Sequence, residues 1–262
     1  MSTSIKNAIK IEKRRCNLAK EGNIKELLNT YSGVTPEIPN FNTPRLWDNL
    51  NKRGHIDRSE PMAFNKLTVI TKKIPNKPIK LLNIACGSGD LEHFVFNRFR
   101  KNKIKWHGID ISSKSIKSCK KEFIRAYFSV GDAKKLKFKN EIFDIVTALE
   151  ILEHISPKDI FVVLGEIHRV LKRKGKFIIS IPLNEGLEKY LMKGKNPNAH
   201  VRIYTPELIE AELKIANFEV KEKRLLYAFN SFYFLKSIIA KFILKGYRKP
   251  NSIIVIAKKR SK

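Results

Sequence analysis

Leu81-Leu82-Asn83-Ile84-Ala85-Cys86-Gly87-Ser88-Gly89-Asp90 decides the fold of this chain. An apolar run passes into small residues and then into an acid that suits a first helical turn. The pattern predicts a buried strand, a tight turn and a helix start. Such a turn lets backbone N–H groups approach a ligand closely, and a helix N-terminus favours negative charge. A lone Gly-x-Gly occurs in many ordinary strand-to-helix turns, so its weight depends on the residues downstream.

Three further signals lie downstream, in order. Trp106-His107-Gly108-Ile109-Asp110-Ile111-Ser112 reads as a second strand ending in an acid. At the tip of the second strand of an α/β nucleoside site, a carboxylate accepts hydrogen bonds from ribose hydroxyls. Val130-Gly131-Asp132-Ala133 places another acid at a strand end, where it suits an exocyclic adenine amine. Phe143 to Leu149 reads as a fourth buried strand, running into the polar loop Glu150-Ile151-Leu152-Glu153-His154.

With these motifs in this order, the chain resembles the class I S-adenosylmethionine-dependent methyltransferases. More narrowly, it is similar to the small-molecule branch that includes the quinone-biosynthesis O-methyltransferases. The resemblance spans roughly residues 78–220, and Leu164 to Pro182 matches the family's helix, glycine turn and fifth strand. It implies an α/β, Rossmann-like fold with a seven-stranded, mostly parallel sheet and an antiparallel last strand. An N-terminal helical extension and an insertion between the last two strands would complete it.

The resemblance also implies S-adenosylmethionine as cofactor, held by Asn83, Ala85, Cys86, Gly87, Gly89, Asp110, Ile111, Asp132, Ala133 and Leu149. Asp110 would hold the ribose, Ile111 would cover the adenine, and Asp132 with Ala133 would read its edge. Glu150 would orient the cofactor's amino group or the acceptor. His154 would be the general base, its ordinary pKa lying near neutrality, or else a capping histidine. His200 and Arg202 fall in a region that folds over the acceptor pocket in the family. The spacing of Glu153, His154 and His200 alone does not make a metal site, and none is expected. Two positions depart from the family pattern: Asn83 stands for an acid and Ala85 for a glycine. Asn83 brings hydrogen bonds without charge, and Ala85 is costly only where the turn needs a positive φ.

The 262 residues carry 53 Lys and Arg against 25 Asp and Glu, a net charge of +28. Such a balance points to an anionic partner, nucleic acid or acidic membrane, or to lysine spread over every solvated face. Cys16, Cys86 and Cys119 form no Cys-x-x-Cys pair, which suits a reducing compartment. No secretory leader and no uncharged apolar run long enough to span a bilayer is visible, so a cytoplasmic setting is expected, with peripheral membrane association open.

Residues 1–75 read as a helical extension or lid, with 1–30 as one basic amphipathic helix and Pro61 to Ile74 as the last helix before the core. Trp47 is a lid residue or a buried anchor. Residues 76–262 read as the catalytic domain, with a helical insertion at 229–250. Within 229–249, apolar and aromatic side chains face an arc of Asn230, Ser237, Lys241 and Lys245. That segment is an interfacial helix for an anionic membrane, a lid, or a core helix. The expected reaction is methyl transfer to a small or lipid-linked acceptor, at oxygen. Two alternatives are a nucleic-acid methyltransferase and a non-catalytic binding protein. Against the first, no Asn/Asp-Pro-Pro-Tyr loop comes after the fourth strand, and no appended RNA-binding module is visible.

Overall fold

A computed structural model describes residues 3–33, 35–50, 60–184, 186–229, 232–243 and 248–260. Among the described residues, four helices precede the sheet: α1 (Thr3–Glu21), α2 (Ile24–Ser32), α3 (Pro44–Leu50) and α4 (Pro61–Lys73). The sheet strands are β1 (Ile79–Ile84), β2 (Ile104–Asp110), β3 (Tyr127–Val130), β4 (Phe143–Leu149), β5 (Leu171–Pro182), β6 (Phe218–Leu226) and β7 (Ser252–Lys259). Between them run α5 (Asp90–Glu92), continued by a π-helical turn (His93–Arg98), α6 (Ser113–Glu122), α7 (Ile160–Val170), α8 (Leu187–Met192), α9 (Pro206–Ile215) and α10 (Tyr233–Ile238).

The spatial order is β3-β2-β1-β4-β5-β7-β6. β1 to β5 pair in parallel, while β7 lies antiparallel between β5 and β6. The expected architecture is therefore present. The chain leaves β1 in one direction through β2 and β3 and returns on the other side through β4 and β5. The switch point lies between β1 and β4, and in open parallel sheets ligands bind at the carboxyl ends of such strands.

Helices on both faces explain why these strands read as nearly continuous apolar runs. Successive side chains still sort by face. Leu82, Ile84, Val146, Ala148, Phe177 and Ile179 enter one buried cluster. Leu81, Ile145, Ile178 and Ile254 enter the other.

The N-terminal segment corrects the expectation of one helix over 1–30. Gly22 sits at φ +72°, ends α1, and lets the Asn23 side chain accept from Glu26 N at 3.2 Å to cap α2. α1 is fastened to the core by buried polar groups. Arg15 pairs with Glu12 and donates to Thr30 O at 2.6 Å, while Glu12 accepts from Ile203 N at 3.1 Å. The helix expected from Pro61 forms, with the Glu60 carboxylate capping Met62 N and Ala63 N. α9 starts at Pro206, with Thr205 Oγ1 accepting from Leu208 N.

In the insertion, α10 continues as a π-helical turn over Ile239–Ile243. Asn230, Ser231 and residues 244–247, Lys245 among them, lie outside the described residues, as does the Lys241 side chain. Among the described residues no helix is long and apolar enough to cross a membrane.

Candidate active site

A cavity of about 540 Å³ opens at the carboxyl ends of β1, β2 and β4. Of the residues proposed from sequence, Asn83, Ala85, Cys86, Gly87, Asp110, Ile111, Asp132, Ala133, Leu149, Glu150, His154 and His200 line it. Gly89 and Arg202 do not.

The loop after β1 is a chain of left-handed residues: Ala85 at φ +55°, Gly87 at +53° and Gly89 at +87°. Gly87 N donates to Asp110 Oδ2 at 2.9 Å, and Ser112 N donates to Oδ1 at 2.8 Å. The carboxylate at the end of β2 thus ties the β1 loop to the start of α6. Gly89 acts in the packing of the loop. A β-carbon there would stand 2.4 Å from the Phe123 ring, so only glycine allows this approach.

Under the loop, Asn83 takes part in a buried relay. It accepts from Thr147 Oγ1 at 2.8 Å and donates to Glu92 Oε1 at 2.9 Å. Trp106 Nε1 donates to the same oxygen at 2.8 Å. Glu92, one helical turn beyond the loop, thus brings a buried carboxyl beneath Asn83 without lining the cavity. Burial pushes its carboxyl up to about 7, against the pull of those two donors.

The loop after β4 carries Glu150, Glu153 and His154. Glu150, at φ +53°, accepts from Ser180 Oγ at 2.7 Å. It also pairs with Lys66 Nζ at 3.0 Å. Lys66 projects from α4 and is buried. Sequence reading missed it, because nothing local marks one lysine of a lysine-rich helix.

His154 meets Trp47 edge-on at 4.8 Å between ring centroids and His200 at 4.7 Å. Its Nδ1 lies 3.3 Å from Ala199 O. Its Nε2 and that of His200 lie 3.9 and 4.0 Å from Glu153 Oε1. Spacing along the chain does not group Glu153, His154 and His200, yet their ligating atoms all fall within 4.8 Å of one another. Two imidazoles and a carboxylate are donors that divalent transition metals accept. Half-buried Trp47 is a wall of the cavity. Its neighbour Asp48 accepts from Ser112 Oγ at 2.7 Å and Lys114 N at 3.1 Å. These contacts hold the carboxyl of Asp48 below its usual range and seat α3 on α6.

Arg202 needs a correction. It is fully buried away from the cavity. Its guanidinium donates to Tyr204 OH at 2.6 Å, to Tyr31 OH at 3.1 Å and to Glu212, with Glu12 at 3.7 Å. Placed among these groups, the charge staples α1 and α2 to α9.

A family profile described as a methyltransferase domain matches residues 81–175. A demethylmenaquinone methyltransferase of Thermotoga maritima is 32% identical over 129 residues, 49% of this chain and 54% of that protein. A ubiquinone biosynthesis O-methyltransferase of Pelagibacter ubique is 34% identical over 121 residues, 45% of this chain and 47% of that protein. The match thus spans about half the length of these relatives. A chain from a complex that contains the Haloferax volcanii Trm112 methyltransferase activator superposes with a TM-score of 0.62 at 15% identity, over 82% of this chain and 98% of that one. That last likeness speaks for the fold. Motifs, sheet order and family profile agree: residues 81–175 form a methyltransferase domain of the class I, S-adenosylmethionine-dependent kind.

Proposed function

We propose that the protein transfers the methyl group of S-adenosylmethionine to oxygen of a small or lipid-linked acceptor. The observation that carries this reading is the gathering of Asp110, Asp132, Glu150 and His154 around one cavity at the sheet's switch point. The two relatives described above bear names of quinone pathways, and quinols, the reduced forms of quinones, are aromatic, lipid-soluble molecules that carry hydroxyls. Residues 1–75 serve as the lid, with Trp47 and Lys66 among its contributions to the cavity.

In this reading the loop from Ala85 to Gly89 cradles the cofactor. Asp110, its carboxylate oriented by Gly87 N and Ser112 N, meets the ribose hydroxyls. Ile111 covers the adenine, and Asp132 and Ala133 meet its edge. Leu149 and Glu150 face the methionine end, with Glu150 toward its ammonium and Lys66 toward its carboxylate. Asn83 supports the loop from below.

Methyl transfer from a sulfonium is an in-line displacement, so alignment and proton removal are the protein's tasks. An acceptor hydroxyl donates its proton to His154 Nε2 while Nδ1–H donates to Ala199 O. The imidazolium that forms is stabilised by the Glu153 carboxylate. The acceptor oxygen attacks the methyl carbon, the C–S bond breaks, and S-adenosylhomocysteine leaves. A second reading rests on the Glu153–His154–His200 cluster. A divalent cation held there would polarise an acceptor oxygen as a Lewis acid. A thermal midpoint raised by Mn²⁺, and unmoved in His200→Ala, favours that second reading; no shift in the wild type leaves the histidines to proton transfer.

The test of the main reading is calorimetric titration with S-adenosylmethionine and S-adenosylhomocysteine, beside Asp110→Ala. Micromolar binding that the variant loses is expected. A folded wild type that binds neither overturns the reading. Acceptor screening with catechols and quinols, His154→Gln as control, then tests the transfer step.

A further inference from the structure

Phe232, Phe234, Leu235, Ile238, Phe242 and Ile243 crowd one short stretch, and each is between 54% and 76% exposed. A contiguous apolar patch of this kind on a soluble domain marks an interaction surface. The helix that carries it is held to the body of the protein. Tyr233 and Ala240 are buried, and Tyr233 OH accepts from Asn65 Nδ2 of α4 at 3.1 Å. The exposed side chains are therefore displayed by an anchored element.

The chemistry around the patch selects its partner. Residues 229–249 contain Lys236, Lys241, Lys245, Arg248 and Lys249, and no Asp or Glu occurs from Phe229 to the last residue, Lys262. The Arg248 guanidinium lies over the Phe229 ring at 4.4 Å, and Lys236 Nζ is 5.9 Å from the Phe232 ring. Exposed aromatic and aliphatic groups flanked by Lys236 and Arg248, in a segment of sequence without one acid, match the boundary between anionic headgroups and acyl chains. A second copy of a chain with net charge +28 would bring like charges together on this face. Nucleic acid would answer the cations and leave the apolar groups in water.

We propose that residues 232–243, with Arg248 and Lys249, dock the protein on an anionic lipid surface. The apolar face of α10 and of the turn after it enters the headgroup boundary, while Lys236, Arg248 and Lys249 meet phosphates. α4 joins this surface to the cavity, since Met62, Ala63, Lys66 and Leu67 of the same helix line it. Docking itself does not depend on the proposed reaction; its use in delivering a lipid-linked acceptor rests on that reading.

The experiment is co-sedimentation of the full chain with vesicles of phosphatidylcholine alone, and of an equal mixture of phosphatidylcholine and phosphatidylglycerol. The comparison variant is Phe234→Ser/Phe242→Ser, which keeps every charge and changes only exposed positions. Wild type should bind the mixed vesicles, and the variant should bind about tenfold or more weakly. Binding of S-adenosylmethionine, measured on both proteins, should stay equal, so a failed surface is distinguishable from a failed cofactor site. Equal vesicle binding by the two proteins would reduce the attraction to bulk charge and overturn the proposal. So would absence of wild-type binding, or a wild-type dimer in gel filtration that the variant dissolves.

Discussion

Ala85 holds its backbone at φ +55° in the cofactor loop, where a β-carbon costs roughly 1 kcal/mol that glycine does not. Ala85→Gly relieves that crowding and gives back part of it as unfolded-chain entropy, so a net gain of about 0.5 kcal/mol is expected. The urea midpoint should rise at unchanged slope; a fall would mean that the methyl group contributes packing. Glu92 sets a pH dependence of a definite sign. Its carboxyl is pushed from an ordinary 4.5 to about 7 by burial. Below the lower value both states hold the proton. As pH rises toward the upper one, the unfolded chain releases it while the folded chain keeps it. Stability therefore falls with rising pH across this window, by about 3 kcal/mol in total. Glu92→Gln keeps an acceptor for Asn83 and Trp106 and should flatten that fall. Urea unfolding of both proteins at either end of the window checks it.

The elements that hold the cofactor motifs were legible because their signals are local. Apolar runs ending in Asp110 or in Gly-x-Gly mark strand ends whatever the tertiary context, as do Thr205 and Pro206 for the start of α9. The N-terminal helices were read less well, since a basic pattern over 1–30 hides the break that one glycine and one capping asparagine create. Contacts across the chain were not legible at all. Lys66 reaches Glu150 of the β4 loop, and Arg202 reaches Glu212, Tyr31 and Glu12. Neither pairing leaves a mark in either local segment. Two predictions separate these cations by role. Lys66→Ala should weaken S-adenosylmethionine binding about tenfold, the loss of one charge-assisted hydrogen bond. Binding of 5′-methylthioadenosine, which lacks the carboxylate, should hardly change; equal losses for both ligands would place Lys66 elsewhere. Arg202→Met should leave buried acids uncompensated and cost about 3 kcal/mol of stability, read as a lowered urea midpoint.

At the scale of the whole molecule the governing quantity is the net charge of +28. Many of the acids are already engaged. Pairs such as Lys13–Glu188, Lys221–Glu219 and Lys223–Glu210 are about half exposed, and exposed pairs contribute little. The excess lysines repel one another across the folded surface, and compaction brings them closer than they are in the unfolded chain. Salt shortens the reach of that repulsion, to about 10 Å at tenth-molar strength. The thermal midpoint should therefore rise as sodium chloride is added from a dilute buffer, whereas a protein held together by exposed ion pairs would lose stability. A falling midpoint would mean that attractive pairs outweigh the excess positive charge. The same field draws any polyanion, so RNA or heparin will bind at low salt, with log affinity falling steeply against log salt. Such binding reports charge alone unless a sequence preference survives at high salt. A preference that does survive would turn the basic surface from a solvated shell into a recognition surface, and would move the acceptor from small molecules to nucleic acid.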